Sequence, residues 1–117
     1  DPHHVGAYVD TGPTLINGGP IRSELDIARP WLAMIAMKDM LFEKTDKGWA
    51  RKIVPAGDGM QNWKDVATGL KECKFNGTIS LHGEYDTKDV DERLKLAKEE
   101  LAFLKKHFGY PGLAACG

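Results

Sequence analysis

Short strand-like runs alternate with amphipathic helical stretches along this chain, and that alternation constrains the fold more than any other feature. Val5-Gly6-Ala7-Tyr8-Val9 reads as a strand, stopped by Asp10-Thr11-Gly12-Pro13. A loop is expected through Asn17-Gly18-Gly19-Pro20. Ile21, Leu25 and Ala28 then recur at helical spacing, with Pro20 suited to the helix start and Pro30 ending it. The apolar run from Ala33 to Met37 predicts a second, fully buried strand. Thr45-Asp46-Lys47-Gly48 splits the stretch from Leu41 to Val54 into two strand-like pieces, a hairpin set apart from the main sheet. After the loop at Pro55-Ala56-Gly57-Asp58-Gly59, Asn62 is a good N-cap. Trp63, Val66, Ala67, Leu70 and Cys73 follow on one helical face. Gly77 to Leu81 predicts the third strand.

The final helix has the strongest pattern. Asp86 or Thr87 is expected to cap it, and Asp89, Asp91 and Glu92 complement its dipole. Val90, Leu94, Ala97, Leu101, Leu104 and Phe108 form its expected buried stripe, read as core packing. Lys105 and Lys106 lie in the last turn, with Gly109 and Pro111 beyond. Strands separated by helices imply parallel pairing through right-handed crossovers, hence an α/β fold. Three parallel strands make a poor domain by themselves. Both edges expose backbone groups, and one face lacks cover.

The 117 residues fit a single domain, and a content of 42% hydrophobic and 28% charged residues argues for a packed core over disorder. Net charge of -1 and the lack of a basic stripe argue against nucleic acid as partner. Lys105-Lys106-His107 is accounted for by a helix C-terminus. No apolar run approaches a membrane span, so no membrane partner is expected. The chain begins at Asp1-Pro2 without Met, as a mature, trimmed or truncated product would. A soluble protein is expected, with cytoplasm and export both open. Cys73 and Cys116 lack metal-site spacing. A free thiol on a helical face suits Cys73, and a Cys73–Cys116 bridge is the alternative. Asn76-Gly77-Thr78 fits a glycosylation sequon and equally a plain turn.

Chemistry is concentrated where strands end. His82 and Glu84 follow Ile79-Ser80-Leu81 two residues apart, so strand alternation points them the same way. Both side chains can ligate metal and transfer protons, as a sugar or metal site requires. The plainer alternative is a polar strand terminus entering solvent. Gly6, Tyr8 and Asp10 share one face of the first strand, and Met34, Ala36 and Lys38 one face of the second. Lys38 suits a phosphate or sugar oxygen, or is a snorkelling strand-end lysine. Asp39 either orients Lys38 or bonds the following loop. Trp49 either stacks on a sugar or anchors the hairpin, and Trp63 belongs to the core.

Four stretches together resemble the C-terminal part of the sugar phosphate isomerase/epimerase family, the xylose isomerase-like TIM barrels. Asp1-Pro2 through Val5-Gly6-Ala7-Tyr8-Val9-Asp10-Thr11-Gly12 resembles the family strand that ends Asp-x-Gly-His. Ile35-Ala36-Met37-Lys38-Asp39 resembles its His-x-Lys-Asp strand end. Val54-Pro55-Ala56-Gly57-Asp58-Gly59, with Gly48-Trp49 before it and Trp63 after it, resembles its Val-Pro-x-Gly-x-Gly segment. Phe75 to Tyr85 resembles its Gly-x-Ile-Ser-Leu-Glu or Ser-Leu-His-x-Glu-Tyr ending.

The resemblance implies a partial (β/α)8 TIM barrel. Residues 1–117 would form one C-terminal fragment, the last three βα units with a β-hairpin excursion after the second strand. A full barrel is typically about 250 residues. Self-association or a missing N-terminal part of the barrel is therefore expected. The implied activity is metal-assisted isomerisation or epimerisation of a sugar or sugar phosphate, absent from this fragment alone. A carbohydrate-binding descendant without metal chemistry, or a purely structural fragment, is the alternative. The implied metal is divalent (Mn, Zn, Mg or Co), with Asp10, His82 and Glu84 as ligands and Glu84 and Lys38 as catalytic groups. Asp10 matches the family aspartate, and His82 falls where the family keeps a final glutamate. The family histidine ligand falls on Ala36, and a second family histidine falls on Pro13. Abasic-site endonucleases on the same barrel fit less well, for want of a basic track and a richer ligand set.

Overall fold

The computed structural model describes residues 3–109. Three parallel strands form the central sheet in the order β1 (Ala7–Asp10), β2 (Leu32–Met37), β5 (Thr78–Leu81). Asp10 pairs with Ala36, and Ala36 with Ser80, so the strand ends lie level. Between these strands lie α1 (Thr11–Ile16), α2 (Ile21–Ala28), the antiparallel pair β3 (Asp39–Thr45) and β4 (Gly48–Val54), and α3 (Trp63–Glu72). The last element is α4 (Val90–Phe108).

Strand alternation divides the sheet into two unlike faces. Val9, Ile35 and Met37 turn to the helices and pack with Ile21 and Leu25 of α2, Trp63, Val66 and Leu70 of α3, and Leu104 of α4. Each large aliphatic side chain buried there contributes about 1.5–3 kcal/mol. The other face carries Tyr8, Asp10, Met34, Ala36 and Ser80, and no helix among the described residues covers it. Both outer strands, β1 and β5, keep one edge without a partner strand among the described residues. The radius of gyration of 15.0 Å exceeds the roughly 13 Å of a compact domain this size, as an open slab would.

Two buried carboxylates organise the loops at the C-terminal ends of the strands. Asp39, 1% exposed, accepts from the amides of Met40 and Gln61 on Oδ1. On Oδ2 it accepts from the amides of Gly57 and Gly59 and from the Trp63 indole N–H. Gly59 is required by contact, because a Cβ there would lie 2.2 Å from Asp39 Oδ1. Glu100 of α4 accepts from the Ala56 amide and the Tyr85 hydroxyl, both at 2.8 Å.

Several expectations are corrected. The stretch after Asp10 is helical, not loop, because Asp10 Oδ1 accepts the Gly12 amide and caps α1. The first strand begins at Ala7 and runs through Asp10, leaving Val5 outside it. Asp89, not Asp86 or Thr87, caps α4 by accepting the Glu92 amide. Thr87 instead accepts from Arg93 Nε. The predicted stripe on α4 is only partly inward. Leu104 is buried, whereas Val90, Leu94 and Ala97 are exposed. The N-terminal half of that stripe meets no partner among the described residues, and Glu100 and Phe103 take its place against the core. Trp49 is 72% exposed and anchors nothing, while Trp63 is core as expected. Cys73 is a free, half-buried thiol packed against the core, and Cys116 lies outside the described residues.

Asp39→Ala removes the shared acceptor of five donors and is expected to lower the unfolding free energy by about 3–5 kcal/mol. Urea denaturation of the protein carrying this chain checks this, and a change within about 0.5 kcal/mol would contradict the role given to Asp39.

Candidate functional site

Asp10, Lys38, His82 and Glu84 come together at the C-terminal ends of the three parallel strands. Lys38 directly follows β2, and its backbone is fixed by Thr11, whose hydroxyl accepts from Lys38 N–H and donates to Lys38 C=O, both at 2.8 Å. Gln61 Nε2 donates to the Thr11 carbonyl at 2.9 Å, tying this junction to the loop held by Asp39. His82 directly follows β5, and its amide donates to Met37 O at 3.2 Å, extending the ladder past the strand. Tyr85, 4% exposed, anchors the far side of the short turn that carries Glu84.

The side chain of Lys38 is 10% exposed and runs forward between two carboxylates. Nζ lies 3.2 Å from Asp10 Oδ2 and 3.1 Å from Glu84 Oε1. Glu84 Oε1 also lies 3.2 Å from His82 Nδ1. A carboxylate only accepts, so Nδ1 carries the proton. In the neutral ring, Nε2 then accepts from the Tyr8 hydroxyl at 2.8 Å. The chain of contacts is therefore Asp10–Lys38–Glu84–His82–Tyr8. Tyr8 sits on one outer strand and His82 just past the end of the other, so their bond passes over the central strand, where Ala36 is fully buried.

Lys38 loses hydration, which disfavours its charge. Hydrogen bonds and charge from Glu84 and Asp10 outweigh that loss, and its pKa is raised above the usual 10.5. The hydrogen bond from Lys38 is the main reason the Glu84 carboxyl lies below the usual 4.5, with His82 adding to the effect and partial burial opposing it. Burial, and then Glu100, push the Tyr85 hydroxyl well above its ordinary range.

The sequence-derived set Asp10, Lys38, His82 and Glu84 is thus brought together as one array. Its members engage one another rather than a common point. Among the described residues, no three His, Cys, Asp or Glu side chains gather as they would around a metal ion. The divalent cation that the resemblance implies does not fit the donors as they stand, because the space between Asp10 and Glu84 holds the Lys38 ammonium. Asp39 bonds the loop and does not orient the Lys38 amine. Tyr8 was not picked out from the sequence, although its parity with Asp10 was the available signal. Thr11 and Gln61 gave none, since their contacts join segments far apart in the chain. The cleft between the C-terminal ends of α3 and α4, lined by Lys71, Lys74, Phe75 and His107, opens at the opposite end of the strands and shares no residue with the array.

A parallel α/β sheet with its polar groups gathered at the C-terminal strand ends is the arrangement of a TIM-barrel active face. The chain belongs to the xylose isomerase-like TIM barrel family, whose model matches residues 1–107. Among solved structures it is similar to D-psicose 3-epimerase in the presence of D-fructose, with a TM-score of 0.69 at 16% identity. That match covers 91% of this chain and 39% of the epimerase chain, so the slab corresponds to part of a domain. No curated protein matches the chain significantly. No helix among the described residues is long and apolar enough to cross a membrane.

The linked pKa shifts set a pH window. Glu84's lowered pKa contributes stability present above the unfolded value near 4.5 and lost as pH falls through the lower folded value. Lys38's raised pKa contributes stability present below 10.5 and lost as pH rises through the higher folded value. The difference in melting temperature between wild type and Glu84→Gln is expected to be flat between these limits and to shrink below the lower one. A difference that grows on acidification would contradict the Lys38–Glu84 pairing.

Proposed function

We propose that residues 1–117 form the last three βα units, the sixth to the eighth, of a (β/α)8 barrel. Its complete form binds a monosaccharide or sugar phosphate at this mouth and isomerises or epimerises it. The observation that carries the reading is the convergence of Asp10, Lys38, His82 and Glu84 at the C-terminal ends of adjacent parallel strands, in a chain of this barrel family. The open sheet edges and the exposed Val90 and Leu94 of α4 support a missing N-terminal part, against which these surfaces pack. Without that part the fragment is inactive. The β3–β4 pair is an excursion from the mouth rather than part of the barrel wall.

The chemistry is a proton shift beside a carbonyl. Glu84 takes the proton from the carbon next to the carbonyl, and the C–H electron pair forms an enediolate. For isomerisation the proton then returns to the neighbouring carbon, while a hydroxyl proton moves between the two oxygens; for epimerisation a proton from water adds to the opposite face of the same carbon, and Glu84 releases its own proton to solvent. Glu84 regains its ionised form, and no other reactant is consumed. Glu84 Oε1 is already engaged by Lys38 and His82, and this favours a second reading in which the site binds sugar without turnover.

Incubating the protein carrying this chain with a panel of ketoses, aldoses and their phosphates separates these readings. At least one sugar is expected to raise the melting temperature and to incorporate solvent deuterium at a carbon beside the carbonyl. A melting shift without deuterium uptake selects the binding reading. Neither effect with any sugar contradicts both.

A further inference from the structure

We infer that the ammonium of Lys38 takes the place of a divalent cation at this mouth, and that the site engages sugar oxygens without metal. The inference deepens the proposed carbohydrate reading and rests on it for the ligand. Three observations of this chain point the same way. Nζ sits 3.2 Å from Asp10 Oδ2 and 3.1 Å from Glu84 Oε1, so two anionic groups suited to a metal share one fixed organic cation. The two nitrogens of His82 are both engaged, Nε2 with the Tyr8 hydroxyl and Nδ1 with Glu84. Position 36, level with Asp10 and Ser80 on the central strand, is a fully buried alanine. A ligating side chain there would rise between Tyr8 and His82 and part them.

The charge balance fits an ammonium better than a metal. Three unpaired donors, two of them anionic, attract a divalent ion. With Lys38 between the carboxylates, one positive charge is already in place, and a further dication would meet it at close range. The lysine is held on every side that matters. Thr11 bonds both backbone groups, and only 10% of the side chain reaches solvent. An ammonium has three donor positions, and the two carboxylates take two. The third is available for a carbonyl or hydroxyl oxygen arriving from the open side of the sheet. There it stabilises negative charge developing on that oxygen, in geometry set before the ligand arrives.

The test uses the protein carrying this chain, exposed to Mn, Zn, Mg and Co, dialysed and assayed for bound metal and for melting temperature. Substoichiometric metal is expected, with no melting shift from any of the four and sugar affinity unchanged by a chelator. One metal per chain, with sugar binding abolished by the chelator, would overturn the inference. Lys38→Met, which keeps the aliphatic stem, is expected to weaken sugar binding by about tenfold or more, and Lys38→Arg to recover part of it. Unchanged sugar affinity in a folded Lys38→Met protein would also overturn it. Should no sugar bind at all, the carbohydrate reading fails by itself, and the metal assay on the wild-type protein still decides the place of Lys38.

Discussion

One buried carboxylate holds the working end of this slab together. Asp39 sits where β2 gives way to β3, and no cation pairs with it among the described residues. Four backbone amides and an indole N–H supply its compensation instead. A carboxylate removed from water is tolerated only when its lone pairs are filled in this way. The loop from Gly57 to Gln61 is thereby curled around one point, and Gln61 is set to reach Thr11. Thr11 in turn clamps the backbone of Lys38. The position of the Lys38 ammonium is thus a consequence of a neighbouring anion that never touches it. Glu100 repeats the device on a smaller scale, fixing Ala56 and Tyr85 and hence the turn that carries Glu84.

The mouth departs from the expected family pattern at Pro13, Ala36 and His82, and the effect of Ala36 spreads. An alanine at position 36 gives no ligand, but it also gives room. Tyr8 and His82 close above it, and Lys38 extends between Asp10 and Glu84. A site described only by what it has lost would miss this rearrangement. Asp10 and Glu84 are joined through the Lys38 ammonium, Glu84 bonds His82 directly, and His82 bonds the Tyr8 hydroxyl. Hydrogen bonding to hydroxyl groups tolerates such a change more readily than metal ligation does, since hydroxyl groups need donors and acceptors rather than one particular cation.

The alternation of strands and helices was legible because period-two and helical patterns follow directly from backbone geometry. The gathering of Asp10, Lys38, His82 and Glu84 was legible because each stands at or just past a strand end with the right parity. The α1 helix was not, since Gly12-Pro13 reads as a stop, and only the Asp10 side chain bonding the Gly12 amide turns it into a helix start. The outward half of α4 departs from its sequence pattern for a different reason. Val90 and Leu94 carry the periodicity of a buried face, but sequence periodicity does not say whether the neighbour belongs to the same stretch of chain. The engagement of Tyr8 with His82 depends on side chains 74 positions apart, which no local pattern encodes.

An ammonium, and not a metal ion, is proposed to stand between Asp10 and Glu84. Anomalous scattering at the manganese edge, from crystals of the protein carrying this chain grown with excess Mn, tests it most directly. The account predicts no anomalous peak at the mouth, with Lys38 Nζ within hydrogen-bond distance of both carboxylates. A peak ligated by Asp10, His82 and Glu84, with Lys38 turned away, would contradict it.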